Sequence, residues 1–131
     1  MELAAEPFET STYHLEAAIA SIHAGAPDFE HTDWKSIYQL YDLLSRLKPN
    51  PMVALNKAIA LSYSGEKRQA IEQLKQISGL EKHHLYQASL GETYLDLGNK
   101  QEARIHFERA LLYTDSHSEK ALINRKLAHC N

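Results

Sequence analysis

The sequence predicts an all-α domain of antiparallel helical hairpins, with about seven helices. Three observations predict it. Only five Gly and four Pro occur in 131 residues, too few for a turn-rich all-β chain. The apolar 44% is weighted toward Ala, Leu and Ile. A pattern of small and large apolar residues recurs 33 positions apart.

Helix start and stop signals place the elements in order. Residues 1–10 read as a linker or disordered arm, and residues 11–131 as one domain. Thr10-Ser11-Thr12 offers a cap for a first helix that runs to about Gly25. A loop from Ala26 to His31 follows, and Thr32-Asp33 caps a second helix, Trp34 to Leu47. Pro49-Asn50-Pro51 breaks the chain and restarts it, with Asn50 as cap and Pro51 at the first helical position, where no amide donor is needed. The third helix is expected to end at Gly65 and the fourth at Gly79. Ser78-Gly79-Leu80-Glu81 has capping-box spacing for the fifth, which stops at Gly98. The sixth spans about Lys100 to Thr114. Ser116-His117-Ser118-Glu119 has the same box spacing before a last helix, Lys120 to about His129. Four of the five glycines thus stand where a left-handed helix end is expected.

Shifted by 33, Ala58 falls on Gly91, Leu61 on Tyr94, Gly65 on Gly98, Lys67 on Lys100, Ala70 on Ala103, Leu74 on Phe107 and Ile77 on Ala110. Small residues at two of these offsets let paired helices approach closely, and the large ones fill the seam. An earlier, more degenerate pair has Ile37, Tyr41 and Leu44 in its second helix. With Ala18 as the counterpart of Ala58, its loop is seven residues longer. The reading is three hairpins plus a closing helix. A terminal repeat needs a cap that is polar outside, and Ile123, Leu127 and Cys130 share one face of that helix. Lys120, Asn124 and Lys126 are expected to turn elsewhere.

This register resembles the tetratricopeptide repeat, whose pattern includes L-G-x-x-Y followed by Ala and Phe. Leu90-Gly91-Glu92-Thr93-Tyr94, Gly98, Ala103, Phe107 and Ala110 carry the likeness. The family's early Trp is replaced by Ala54 and Gln87, and its terminal Pro by Lys82 and Asp115. The resemblance implies a short right-handed solenoid closed by a C-terminal capping helix.

A more particular likeness lies in Tyr13-His14-Leu15-Glu16-Ala17-Ala18-Ile19-Ala20, Thr32-Asp33-Trp34, Leu40-Tyr41-Asp42-Leu43-Leu44 and Pro51-Met52-Val53-Ala54-Leu55-Asn56-Lys57-Ala58. With the later repeats, these strings are similar to the C-terminal tetratricopeptide-like extension of one group of extracytoplasmic-function RNA polymerase sigma factors. The likeness covers roughly residues 11–129. It implies a non-catalytic regulatory or docking role in bacterial transcription initiation. The implied partner is protein: the factor's own core regions or RNA polymerase. The alternative is a free-standing adaptor that binds peptide segments of other proteins, and a third reading is an enzyme or metal-dependent regulator using the histidines.

Charge fits no nucleic-acid reader. Residues 1–50 carry eight acidic and three basic side chains, a net of −5, and residues 51–131 carry nine and eleven, a net of +2. Neither half is the basic field that phosphate backbones attract, so no direct nucleic-acid contact is expected. Cys130 is the sole cysteine and admits no internal disulfide. No signal-like or membrane-length apolar run occurs, and the expected location is cytoplasmic.

Candidate chemistry is sparse. None of the eight histidines stands four from another on one helix, and no cysteine joins them at zinc-like spacing. No catalytic, cofactor-binding or metal-ligating residue is assigned. Glu92 and Asp96 are four apart on the fifth helix, a mildly repulsive spacing that calls for a partner. Trp34 is expected to anchor the second helix on the first, with a partner-binding role as the sharper alternative. Under tetratricopeptide-like stacking, the first helices of each pair line a groove bearing Leu55, Asn56, Ile59 and Tyr63, then Ala88, Glu92, Leu95 and Asp96. Asn56 matches a position at which some family members hold a peptide carboxylate. The Lys and Arg of that clamp are missing, so a groove with Glu92 and Asp96 suits a basic or mixed ligand.

Overall fold

The computed structural model describes residues 7–131, with side chains from residue 11 onward. These residues form seven α-helices and no strand: α1 Pro7–Gly25, α2 Trp34–Leu47, α3 Pro51–Tyr63, α4 Lys67–Lys75, α5 His84–Asp96, α6 Lys100–Leu112 and α7 His117–Ala128. Each helix packs on the next in sequence, and α3 also packs on α5. No helix among the described residues is long and apolar enough to cross a membrane.

The 33-residue period is written into the helix boundaries. Second helices start at Trp34, Lys67 and Lys100, and first helices at Pro51, His84 and His117. Their N-caps keep the step: Asp33, Glu66 and Asn99 in one series, Asn50, His83 and Ser116 in the other. Every cap but Glu66 accepts a backbone amide from its own helix through a side-chain atom. Such a bond satisfies one of the amides a helix start leaves unpaired, worth about 1 kcal/mol.

The ends of α3 and α5 are equally matched. Gly65 (φ 110°) and Gly98 (φ 84°) are left-handed. Around them the amides of Glu66 and Asn99 reach back to the carbonyls of Leu61 and Tyr94, and those of Gly65 and Gly98 to Ser62 and Leu95. This is the 6→1 and 5→2 pattern of the Schellman motif. A side chain at either glycine would strain the turn that folds the next helix back.

Two apolar clusters form the interior. One joins α3 to α7 through Leu55, Ala58, Leu74, Leu90, Ala103, Phe107, Ala110, Ile123 and Cys130. The other joins α1, α2 and α3 through Ile19, Ile37, Leu44, Val53 and Ala60. Ala70 and Ala103 stand at the fourth position of α4 and α6, and neither exposes any surface. Helices α5 and α6 approach closely: a Cβ built on Gly91 would lie 2.8 Å from Cδ1 and Cε1 of Phe107. Ala58 and Leu74 hold the same two places one repeat earlier. The pair thus trades one methyl on one helix against a larger ring on the other.

Several boundaries differ from expectation. The first helix begins at Pro7, so Thr10-Ser11-Thr12 lies inside it and not at its start. Only residues 7–10 of the expected ten-residue arm are described, and they are helical; the rest of the arm lies outside the described residues. The fourth helix stops at Lys75, and Gly79 sits in the following loop with Glu81 receiving its amide at 3.1 Å. Glu81 therefore closes a loop and does not cap α5; His83 does that through Nδ1 to the Leu85 amide. Gly25 ends α1 without a left-handed backbone, so two of the glycines, and not four, serve as left-handed helix ends. The sixth helix ends at Leu112, two residues early, and the last starts at His117, three residues early, capped by Ser116. Ile123 and Cys130 are buried in α7 and its end as expected, but Lys126 turns inward, not away.

Candidate interaction face

The expected groove residues divide by burial. Leu55 exposes no surface and belongs to the interior, a correction to its placement on a groove. Its helix is flanked on several sides, since α3 packs on α2, α4 and α5 at once. Asn56, Ile59, Ala88 and Leu95 are half-buried, the last three against the larger cluster. Tyr63 and Glu92 are half-buried and Asp96 is exposed.

Tyr63, at the end of α3, donates its hydroxyl to Glu92 Oε1 of α5 at 2.7 Å. Lys126 of α7 donates to the other carboxylate oxygen of Glu92. One acid therefore ties three alternate helices, and both its oxygens are in use. Asp96 pairs with Lys67 at 3.0 Å, and the same ammonium lies 5.8 Å from the centre of the Tyr63 ring, within reach of a cation–π attraction. The two groove acids are thus neutralised by the chain's own lysines. The expectation of a basic ligand did not include these internal partners. Burial, then the charge of Glu92 and the hydrogen bond to it, hold the Tyr63 phenol far above its ordinary pKa, so it stays a donor.

The Tyr63 ring opens onto an aromatic cluster. Phe29 meets it edge-on at 4.6 Å and Trp34 lies 4.7 Å away, while Phe29 and Trp34 are 5.1 Å apart. Trp34 also contacts His23 of α1 at 5.4 Å and donates its indole N–H to the Phe29 carbonyl at 3.2 Å. It therefore anchors α2 on α1, as expected, and in addition fastens the preceding loop against α3. Asp28 closes that loop, accepting the His31 ring and then its amide, bonds that hold its carboxyl below the usual range. Phe29 remains 55% exposed. Two aromatic neighbours, Trp34 and Tyr63, hold that large ring in place at the surface.

Lys67, Lys126, His23 and Phe29 were missed at the level of sequence. One signal was present: Tyr63 to Glu92 and Lys67 to Asp96 are both 29 residues apart, and Glu92 to Lys126 is 34. Complementary side chains about one repeat apart are therefore the places to look for ties between equivalent helices.

Elsewhere, His106 is buried and carries a defined tautomer. Gln87 Nε2 donates to the Glu81 carbonyl at 2.7 Å, and a carbonyl can only accept, so the amide orientation is fixed. Gln87 Oε1 then faces His106 Nδ1 at 2.7 Å, and Nδ1 must carry the proton. The ring stacks on Tyr94 at 5.6 Å. Burial, with the charge of Arg109 second, pushes its pKa below the ordinary value. The unfolded chain therefore binds more protons below about pH 6.5, so stability is lost as pH falls through that value and levels off beneath the folded pKa. We predict that the stability advantage of wild type over His106→Gln, read by urea unfolding, shrinks between pH 7 and pH 5. A difference independent of pH contradicts this assignment.

Among the described residues no three His, Cys, Asp or Glu side chains converge as a metal site would require. No family model matches the chain, and no solved structure matches it. It is 37% identical over 118 residues to an uncharacterized protein of Rhizobium meliloti (strain 1021). That alignment takes in 89% of this chain and 28% of the relative, so the chain spans little more than a quarter of the protein it is similar to.

Proposed function

We propose that this chain is a non-catalytic protein-interaction module whose helix pairs stack in the manner of tetratricopeptide repeats. In this reading it is the regulatory extension of a bacterial extracytoplasmic-function sigma factor. It docks on the factor's own core regions or on RNA polymerase during transcription initiation. The observation that carries the stacking is the 33-residue step shared by both series of helix starts and caps. A repeated unit that cannot bury its faces alone builds a continuous core by stacking and leaves one face for recognition.

The face proposed for docking is the one crossed by the Tyr63–Glu92–Lys126 tie and headed by Phe29 and Trp34. Its charges are paired within the chain, so affinity comes from apolar contact centred on Phe29. The same pairing leaves Glu92 unavailable for acid–base chemistry, which favours a binding role over an enzymatic one. The strings shared with the sigma-factor extensions support the transcription link. Coverage of 28% of a longer relative fits a module within a larger protein.

Interferometry of the immobilised chain against bacterial core RNA polymerase, and separately against the core regions of such a factor, tests the reading. Binding to one of them, weakened about tenfold or more by Phe29→Ala, is the expected result. Binding to neither, or binding indifferent to Phe29→Ala and Trp34→Phe together, overturns it.

A further inference from the structure

A second surface lies on the opposite side of α5. At about 100° per residue, Tyr86, Gln87, Leu90 and Tyr94 fall on one face of that helix, and Ser89, Glu92 and Asp96 on the other. Tyr86, Gln87 and Leu90 of the first group floor an open cleft of about 440 Å³ between α4, α5 and α6. Lys75, Lys82 and Arg109 stand around its rim. Lys75 and Arg109 occupy the last turns of α4 and α6, where helix carbonyls favour cations. Among the described residues none of the three is in an ion pair. Lys75 lies over the Tyr94 ring at 5.6 Å. Both Lys75 and Arg109 act electrostatically on buried His106, which places their charges together at this cleft, with Glu102 of α6 as the opposing charge 3.8 Å from His106 Nε2. The one acid of the lining, Glu81, is engaged by the Gly79 amide.

The floor decides what class of anion fits. The Tyr86 hydroxyl is committed to the Leu74 carbonyl at 2.8 Å, the Gln87 amide to the Glu81 carbonyl, and His106 Nδ1 to Gln87. Beside the cations these commitments leave the Tyr113 hydroxyl of the lining, short of the several converging donors that a phosphate site demands. What remains is an apolar floor of Leu90, Ile77 and Tyr86 under three exposed cations. That combination suits carboxylates spaced along a polypeptide with apolar side chains between them.

We propose that the cleft between α4, α5 and α6 binds an acidic, partly apolar polypeptide segment, with Lys75, Lys82 and Arg109 pairing its carboxylates and Leu90 and Tyr86 receiving its apolar side chains. This surface is distinct from the Phe29 face, and the assignment does not rest on the docking role given to that face.

The test is fluorescence anisotropy with a labelled twelve-residue peptide alternating Glu with Leu, against its Gln-for-Glu and Lys-for-Glu counterparts, at low salt. The Glu peptide is expected to bind the chain, and the Gln and Lys peptides to bind about tenfold or more weakly. The double variant Lys75→Glu with Arg109→Glu should abolish Glu-peptide binding, while Phe29→Ala leaves it unchanged. If the double reversal does not fold by circular dichroism, Lys75→Gln and Lys82→Gln replace it, each expected to weaken binding several-fold. Equal binding of the three peptides, indifference to these variants, or displacement of the peptide by stoichiometric inorganic pyrophosphate overturns the proposal.

Discussion

Replacing Gly91 by Ala is expected to destabilise the protein by about 1–3 kcal/mol, the usual cost of forcing a methyl group into a filled interior. The sign is the informative part. At an ordinary helix-interior position the same change gains about 0.5–1 kcal/mol, because glycine loses more backbone freedom on folding. Here the new Cβ would lie 2.8 Å from two ring carbons of Phe107, which is wholly buried and has no space to retreat into. Phe107→Leu alone leaves a void and costs about 1–2 kcal/mol. The double variant recreates the Ala58 and Leu74 pairing of the preceding repeat, so it should be more stable than the sum of its parts predicts, with a coupling of about 1 kcal/mol or more. Urea unfolding of the four proteins measures the cycle. Additive effects, or a stabilising Gly91→Ala, would show that the two repeats do not share one packing rule.

Leu55→Ala is expected to cost about 2–5 kcal/mol, the range for emptying a fully buried leucine site. Its neighbour Asn56, half-buried and turned from the interior, should tolerate Ala within about 0.5 kcal/mol. The contrast separates two roles that look alike along the chain. A groove residue loses partner affinity and leaves the fold intact; an interior residue loses the fold. Urea midpoints of the two variants decide it. A Leu55→Ala protein as stable as wild type would return Leu55 to the binding surface.

What the residues disclose without coordinates follows from how local each interaction is. Asp33, Asn50 and Ser116 announce helix starts because each caps its own helix three residues on, and Pro51 reinforces one of them. The second and third helices are consequently placed to the residue at their starts. The cap at His83 is harder to read, since imidazole is not among the usual capping side chains. Ser78 to Glu81 mimicked a capping box because a Glu three residues after a Ser can equally close a loop. The 33-residue register emerges from Ala58 to Ile77 against Gly91 to Ala110. Its extension to Trp34 and His117 stays hidden because there the shared feature is the helix start and cap, not the side-chain pattern.

The face was legible in half. Tyr63, Glu92 and Asp96 could be placed on it from helix periodicity. Their partners could not, because Lys67 and Lys126 reach them across gaps of 29 and 34 residues that only the relative placement of helices closes. Phe29 sits in a loop without periodicity, and its position is set by the indole N–H of Trp34 and the ring of Tyr63. Charge counting alone therefore registers the acids of the groove without the lysines that pair with them.

The stacking of equivalent units is tested most directly by the rotation that carries one helix pair onto the next in a crystal structure. The account predicts that one rigid movement superposes α3 and α4 on α5 and α6. Applied again, that movement should bring α5 onto α7. Pairs that cross at unlike angles, or an α7 displaced from the position this movement assigns, would contradict it.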